Sequence, residues 1–141
     1  MRRSLMLILG ASLLLSVSAC ICWPTRVTEA PLPPEEEEEL RQTLIGVWYA
    51  DAFENRRGTI DYNEPHHFIY HFNEDGTGRY DQNYVVQGQN DFQWELKGRN
   101  LHVVMDRGGT ESVWRIDDYS ETDMRWFNYF DSGYFLMKRQ K

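Results

Sequence analysis

Three histidines lie close together in the chain, and histidine is a common ligand of zinc. They are His66, His67 and His71. Neighbouring side chains of a β-strand point to opposite faces, so His66 and His67 cannot bind one ion from the same strand. His67 and His71 share a face but lie about 13 Å apart at about 3.3 Å per residue, whereas zinc ligands lie about 2 Å from the metal. His102 would have to join from another strand, so we predict no metal site.

The run from Asn73 to Gly78 has the spacing of the first half of a calcium-binding loop. The twelfth position of such a loop needs a bidentate glutamate, and this chain has Tyr84 there. We therefore interpret the run as a hairpin turn. The chain also has no Gly-x-Ser-x-Gly motif, and Ser132 lies in a predicted tight turn. We expect neither an enzyme nor a cofactor.

Aromatic and polar side chains alternate along several segments, and these could form a binding cup. One face carries Phe68, Tyr70 and Phe72, and the last such segment includes Phe130. Hydroxyl and amide groups within an apolar cup can orient a small ligand. The residues that we predict to bind it are Tyr70, Tyr80, Gln82, Tyr84, Trp94, Trp126 and Asn128. The alternative is a packed interior, because side chains nearly fill small eight-stranded barrels.

The segments that must position these residues are β-rich and are separated by short turns with glycine or aspartate. Parallel crossovers need a dozen or more residues, so short turns imply antiparallel neighbours, and closure into a barrel removes both exposed edges. We predict an all-β, eight-stranded antiparallel up-and-down β-barrel preceded by a short N-terminal helix. The predicted strands are 44–50, 66–72, 78–86, 90–97, 100–106, 110–117, 123–130 and 133–139.

Two other segments are distinctive. Residues 51–65 form a predicted long loop, and such loops are often functional or mobile. Pro33 and Pro34 precede a run of five glutamates, Glu35 to Glu39, which favours a helix start because acidic residues stabilise the positive end of the helix dipole. Leu40 and Leu44 would share one face of that helix. A solvated acidic tail remains the alternative for the first glutamates.

The N-terminus has the pattern of a secretory signal. Arg2 and Arg3 precede an apolar run that ends in Val17-Ser18-Ala19-Cys20. The run is shorter than the about 20 residues that a membrane span needs. Its last four residues resemble the bacterial lipobox, which implies cleavage before Cys20 and acylation of its sulfur. The resemblance also implies retention on a bilayer. Ile21 in place of aspartate favours the outer membrane, and the distance of the acidic run from Cys20 favours its periplasmic face.

Composition limits the remaining possibilities. Without Arg2 and Arg3, the 15 basic residues become 13 against 22 acidic ones, so nucleic-acid binding is not expected. Cys20 and Cys22 are the two cysteines, and acylation of Cys20 leaves Cys22 without an internal partner. We predict a signal peptide at 1–19, a proline- and glutamate-rich tether at 20–39 and one folded domain at 40–141.

Gly46-Val47-Trp48 opens the first strand, Phe72 begins the run FNEDGTGRY, and the last strand ends in Lys138 and Arg139. In these features the chain resembles the lipocalin-like domains of bacterial lipoproteins, which are small calycin-type barrels. The resemblance implies that Gly46 and Trp48 form the barrel floor. It also implies that a basic residue of the last strand, Arg139 or Lys138, lies across the indole.

Two hypotheses about function follow. The first is a lipid-anchored envelope protein that binds a small apolar or amphipathic molecule, with 51–65 as a lid. The second is a non-enzymatic interaction module, an inhibitor or an assembly accessory, with a filled barrel. Its contact surface would include Phe53, Arg56, Arg57 and Tyr62, because arginine and aromatic residues are enriched at interface anchors.

Overall fold

The computed structural model describes residues 26–62, 68–81 and 90–141, in which one α-helix is followed by nine β-strands of a single antiparallel sheet. Helix α1 spans Pro34–Leu44. The strands are β1 (Gly46–Glu54), β2 (Ile60–Tyr62), β3 (Ile69–Phe72), β4 (Thr77–Asp81), β5 (Asp91–Lys97), β6 (Asn100–Met105), β7 (Glu111–Tyr119), β8 (Asp123–Asn128) and β9 (Gly133–Arg139). No helix in the described part of the chain is long and apolar enough to cross a membrane.

The sheet closes on itself because β9 returns to pair with β1. The pairing runs from Trp48 opposite Arg139 to Glu54 opposite Tyr134. On the other edge of β1, β3 pairs with residues 46–49 and β2 pairs with residues 52–54. Strands β2 and β3 therefore act as one interrupted strand, and eight strands form the closed barrel. The predicted eight-stranded antiparallel barrel with its preceding helix is confirmed.

The predicted long loop 51–65 is wrong at residues 51–54 and 60–62, which belong to strands. β1 continues to Glu54, and the chain turns back through residues 55–59 into β2. Asn55 stabilises this turn, because its Oδ1 accepts hydrogen bonds from the backbone N–H groups of Arg57 and Thr59 at 2.8 and 3.1 Å. Extended pairing with both β2 and β9 accounts for the added strand length. Residues 63–65 lie outside the described residues.

Helix α1 closes one end of the barrel. Its first turn carries Glu35 and Glu36, and its apolar face buries Leu40 and Leu44 completely in the core. The helix that the proline–glutamate pattern predicts is thus confirmed, with a start at Pro34. Arg41 stacks over the Trp94 indole at 5.2 Å from the ring centroid, which adds a cation–π contact between the helix and β5.

Residues 26–33, which the sequence places in the tether, lie along the outer wall of the barrel. The carbonyl of Ala30 accepts a hydrogen bond from the Arg99 amide at 2.7 Å. The carbonyl of Thr28 accepts from the Asn100 side-chain amide at 2.8 Å and from the Tyr129 hydroxyl at 3.1 Å. We call residues 26–33 the clamp segment.

The two ends of the barrel differ. The floor is the end that carries α1 and the turns at 73–76, 98–99 and 120–122. The mouth is the opposite end, with the turns at 55–59, 106–110 and 129–132. The turn between β4 and β5, at 82–89, lies outside the described residues.

The interior consists largely of the residues whose alternation the sequence shows. The completely or almost completely buried ones include Phe72, Phe92, Leu101, Ile116 and Trp126. Phe130 is an exception, because it is 75% exposed. β8 ends at Asn128, whose Oδ1 accepts a hydrogen bond from the Phe130 amide at 2.9 Å, so Phe130 belongs to a turn rather than to the inward face.

Candidate functional site

The floor is closed by a stack of charged and aromatic groups. The guanidinium of Arg139 lies 4.5 Å from the centroid of the fully buried Trp48 ring. Arg139 Nη1 and Nε also donate hydrogen bonds to the carbonyls of Ile45 and Glu121 at 2.9 and 2.6 Å. Lys138, the other basic residue that the resemblance offers for this place, is paired with Asp51 at 3.4 Å on the outer wall.

Gly46 makes room for that guanidinium. A Cβ atom at position 46 would lie 2.6 Å from Arg139 Nη1, and the φ angle of +126° is one that side chains rarely adopt. The Trp48 indole N–H donates to the Leu44 carbonyl at 3.0 Å, which satisfies a carbonyl at the C-terminus of α1. The Gly-x-Trp sequence thus has a structural role in joining helix, floor and last strand.

The middle of the barrel is filled by aromatic rings around Tyr70. Tyr70 is 6% exposed, and its ring centroid lies 4.9 to 6.3 Å from those of five neighbouring rings. These neighbours are Phe72, Tyr80, Phe92, Trp114 and Trp126. Side chains therefore occupy the lumen at this level, as expected for a small barrel.

Four partly buried aromatic residues, Phe53, Phe68, Tyr80 and Phe135, continue this packing toward the mouth; we call them the mouth cluster. The Phe53 ring packs edge-on against Phe68 and Phe135 at 5.6 and 4.8 Å, and Phe68 stacks on Tyr80 at 6.3 Å. Phe135 also contacts Trp114 in the layer below at 6.1 Å. The rings keep part of their surface accessible, so the mouth cluster can contact an apolar molecule.

Two phenols lie at and just below this apolar end, Tyr80 in the mouth cluster and Tyr70 in the layer beneath it. Burial raises the pKa of Tyr80 to about 12. Burial raises the pKa of Tyr70 further, and the neighbouring Tyr80 adds to the effect. Both side chains are therefore neutral at physiological pH, and each hydroxyl can donate as well as accept a hydrogen bond. The arrangement suits a ligand with an apolar body and a polar end.

A bulge in β1 sets the direction in which Phe53 points. The register with β9 shifts between Ala50 and Ala52, so one extra residue enters β1. The extra residue reverses the alternation, and Phe53 faces the lumen while Ala52 lines a groove on the outer wall. The sequence places Phe53 on a contact loop, and the pairing of β1 with β9 is the information that it lacks.

The predicted ligand-binding residues do not all come together. Tyr70 contacts both Tyr80 and Trp126, at 4.9 and 5.5 Å between ring centroids. Trp94 lies at the floor, where its indole N–H donates to the carbonyls of Asn73 and Thr77. Asn128 is partly exposed at the turn to β9. Gln82 and Tyr84 lie outside the described residues.

Two described histidines pair with carboxylates across neighbouring strands. His71 Nε2 lies 3.0 Å from Asp81 Oδ2, and His102 Nδ1 lies 2.7 Å from Glu111 Oε1. In the part of the chain that the structure describes, no three His, Cys, Asp or Glu side chains cluster closely enough to hold a metal ion. His66 and His67 lie outside that part, as do the predicted signal peptide 1–19, the predicted lipid anchor Cys20 and Cys22.

The fold is that of the lipocalin-like barrels. A lipocalin-like protein from Bacteroides uniformis superimposes with a TM-score of 0.55 at 15% sequence identity, covering 70% of this chain and 99% of the other. An uncharacterized protein from Bacteroides eggerthii gives a TM-score of 0.54 at 10% identity, covering 68% of this chain and 98% of the other. Neither a protein-family model nor a curated protein matches the chain. The lipocalin-like fold that the sequence motifs suggest is confirmed at the level of structure.

Proposed function

We propose that the protein is a non-enzymatic, lipid-anchored lipoprotein of the bacterial envelope whose barrel binds one small apolar or amphipathic molecule at the mouth cluster. The observation that carries the ligand-binding part is the partly accessible ring packing of Phe53, Phe68, Tyr80 and Phe135. An apolar surface with few polar groups is typical of small-molecule sites. The lipobox-like Val17-Ser18-Ala19-Cys20 supports the anchor.

The ligand would lie across the mouth instead of deep in the lumen, because the rings around Tyr70 occupy the interior below. Its apolar part would contact Phe68 and Phe135, and its polar end would bond to the Tyr80 hydroxyl. A fatty acyl chain or a similar amphiphile has this chemistry. Two acyl chains at Cys20 would hold the protein on the bilayer almost irreversibly.

Dye binding with a matched pair of variants tests the site. The protein from residue 23 onward, without cysteines, is titrated with the apolar dye ANS and then with a competing fatty acid. Phe135→Ala, at the mouth, should weaken dye binding about tenfold, which corresponds to about 1.4 kcal/mol. Phe127→Ala is the control, because it removes the same ring from β8, where Phe127 packs on the outer wall against Tyr129 and Tyr134.

Circular dichroism and thermal unfolding would verify that both variants keep the fold. Equal losses of dye binding in the two variants, or no dye uptake by the unchanged protein, would contradict the mouth site.

A filled barrel that serves as a protein-interaction module is the second candidate. The ring packing through the middle of the barrel favours it. Its contact surface would be the β1–β2 hairpin, where Arg56, Arg57 and the 74% exposed Tyr62 face solvent. Crosslinking in cells should then lose a partner when these three residues become alanine. Identical crosslinked species with and without the substitutions would remove this candidate.

A further inference from the structure

We propose that the mouth end of the barrel rests on the lipid bilayer, with Phe130 and Val27 in contact with it, so that the mouth faces the membrane that anchors the protein. This inference rests on the proposed lipid anchor at Cys20, and it does not require that the ligand site be correct.

The path of the clamp segment is the first observation. Near the floor, Ala30 bonds to Arg99 in the β5–β6 turn. Nearer the N-terminus, Val27 borders a cleft that is also lined by residues 111–114 of β7 and by Phe130 of the β8–β9 turn. The start of β7 and the β8–β9 turn both lie at the mouth. The clamp segment therefore runs from the mouth, at Val27, toward the floor, at Ala30. Its exit thus lies on the mouth side.

The length of chain beyond that exit is short. Eight residue steps separate Cys20 from Thr28, whose carbonyl is fixed to the wall by Asn100 and Tyr129. A fully extended chain spans at most about 3.6 Å per residue, so the Cα of Thr28 lies within about 29 Å of the Cα of Cys20. A tether of this length, attached on the mouth side, favours orientations in which the mouth is closer to the bilayer than the floor.

The exposed apolar side chains are also concentrated toward the mouth. Every large hydrophobic residue that is exposed in the described ranges lies in the mouth half of the barrel or beside it. Phe130, at 75% exposure, is the most prominent, and Val27 is 46% exposed in the cleft next to it. The full set is Val27, Ile60, Tyr62, Val104 and Phe130. An aromatic ring at a turn tip is well suited to the membrane interface.

The exposed charged residues also differ between the mouth and the floor. The β1–β2 turn carries the exposed Arg56 and Arg57. This turn is a neighbour of the turn that carries Phe130: Gly133 packs so closely on Glu54 that a Cβ atom on Gly133 would lie 2.6 Å from the Glu54 carbonyl oxygen. The other exposed charges at the mouth end are Arg26, Arg107, Asp61, Asp91, Asp106, Glu111 and Asp131. The exposed floor charges are Glu35, Glu36, Glu38, Glu39, Glu74, Asp75, Glu121, Asp123, Lys97, Lys138 and Lys141. Acidic residues thus exceed basic ones far more at the floor than at the mouth, so an anionic bilayer would repel the floor more strongly.

The test uses the full acylated protein with Cys22→Ser, reconstituted in vesicles of phosphatidylethanolamine and phosphatidylglycerol. Single cysteines for an environment-sensitive fluorophore are introduced at the mouth by Phe130→Cys or Thr110→Cys, and at the floor by Asp75→Cys or Glu121→Cys. Nitroxide-labelled lipids then report the depth of each fluorophore. We expect severalfold stronger quenching at both mouth positions than at either floor position.

A second variant tests whether contact, and not the anchor alone, sets the orientation. Phe130→Asp combined with the fluorophore at position 110 should reduce the quenching severalfold, while circular dichroism verifies the fold. Equal quenching at mouth and floor, or stronger quenching at the floor, would overturn the proposed orientation. No effect of Phe130→Asp would overturn the proposed contact of Phe130 with the bilayer. Mass spectrometry of Cys20 and vesicle flotation separate this from failure of the anchor: an unacylated protein that does not float would overturn the anchor itself and the inference with it.

Discussion

Arg139 joins three elements at the floor. It covers the Trp48 ring, donates to the carbonyls of Thr43 and Ile45 at the end of α1, and donates to Glu121 in the β7–β8 turn. A guanidinium can do all of this at once because its five N–H donors form a planar fork above the indole. Lysine has a single ammonium group and cannot reach three carbonyls in different directions.

Replacing Arg139 should therefore destabilise the protein strongly. Arg139→Ala should lower the free energy of unfolding by about 2 to 4 kcal/mol, from the lost cation–π contact and the lost charge-assisted hydrogen bonds. Arg139→Lys should give a smaller loss, and Lys138→Ala, which breaks an exposed ion pair, should unfold like the unchanged protein. Chemical denaturation measures all three, and an equal effect of the two alanine variants would be inconsistent with this role.

The buried phenols of Tyr70 and Tyr80 predict instability in alkali. An unfolded tyrosine ionises near pH 10, whereas burial raises the pKa of folded Tyr80 to about 12 and that of Tyr70 further. Between these values the unfolded state releases protons that the folded state keeps, so stability is complete below about pH 10 and falls as the pH rises toward about 12.

Thermal unfolding across that range, with phenolate absorbance as a second signal, would measure the decline. Tyr80→Phe should make the decline shallower. Tyr62→Phe is the control, because its ring is 74% exposed and its removal should not alter the profile. A pH profile that is the same for the unchanged protein and Tyr80→Phe would speak against a buried Tyr80 phenol.

Individual residues were predictable from sequence where strand alternation is regular. Tyr70, Phe72 and Trp126 face inward as the alternation indicates. The prediction is wrong for Phe53, which it places in a loop although Phe53 follows a bulge within β1, and for Phe130, which follows the end of its strand. Both errors have the same cause: a register shift and a strand end depend on partners far away in sequence.

The clamp segment and helix α1 together secure the floor and the wall. Glu37 Oε2 accepts a hydrogen bond from the Gly98 amide at 2.7 Å, and Ala30 accepts one from the next residue, Arg99. The β5–β6 turn is thus held by two contacts from the N-terminal side. Gly98 has no space for a Cβ atom, which would lie 2.1 Å from the Ala30 carbonyl oxygen.

Loosening the clamp segment should be visible at a single backbone amide. Tyr129→Phe removes the hydroxyl that donates to Thr28 and Asn100, and should cost about 1 to 2 kcal/mol of stability. Hydrogen exchange at the Arg99 amide, which bonds to Ala30, should become faster than in the unchanged protein.

Tyr134→Phe is the matched control for this measurement. It removes an outer-wall hydroxyl bonded to Asp117 Oδ2 at 2.8 Å, away from the clamp segment, so exchange at Arg99 should remain slow. Equal acceleration in both variants, or none in Tyr129→Phe, would show that Tyr129 does not hold the clamp segment.

Sequence predicts elements well where local chemistry defines them. The run of glutamates after Pro34 indicates α1, and the short glycine-containing turns indicate most of the hairpins. The packing of residues 26–33 was not predictable, since it depends on backbone carbonyls that accept hydrogen bonds, and any residue supplies such a carbonyl. The extension of β1 to Glu54 was missed because it depends on pairing with β9.

For the whole molecule, closure of the sheet and a filled middle favour the mouth for the binding that we propose. The floor is covered by α1, whose Leu40 and Leu44 are fully buried. The mouth cluster is only partly buried, and it stands at the end from which the N-terminal segment leaves. The fold and the aromatic interior were predictable from the sequence. The difference between a covered floor and a partly buried mouth was not, because it depends on how the strands pair in three dimensions.

Native mass spectrometry of the protein purified from bacterial membranes tests the central claim most directly. We expect the acylated chain to carry one additional small amphiphilic molecule, and Phe135→Ala to carry much less of it while Phe127→Ala retains it. If the protein is detected only at its own mass, and still binds nothing when amphiphiles are added, ligand binding at the mouth is contradicted.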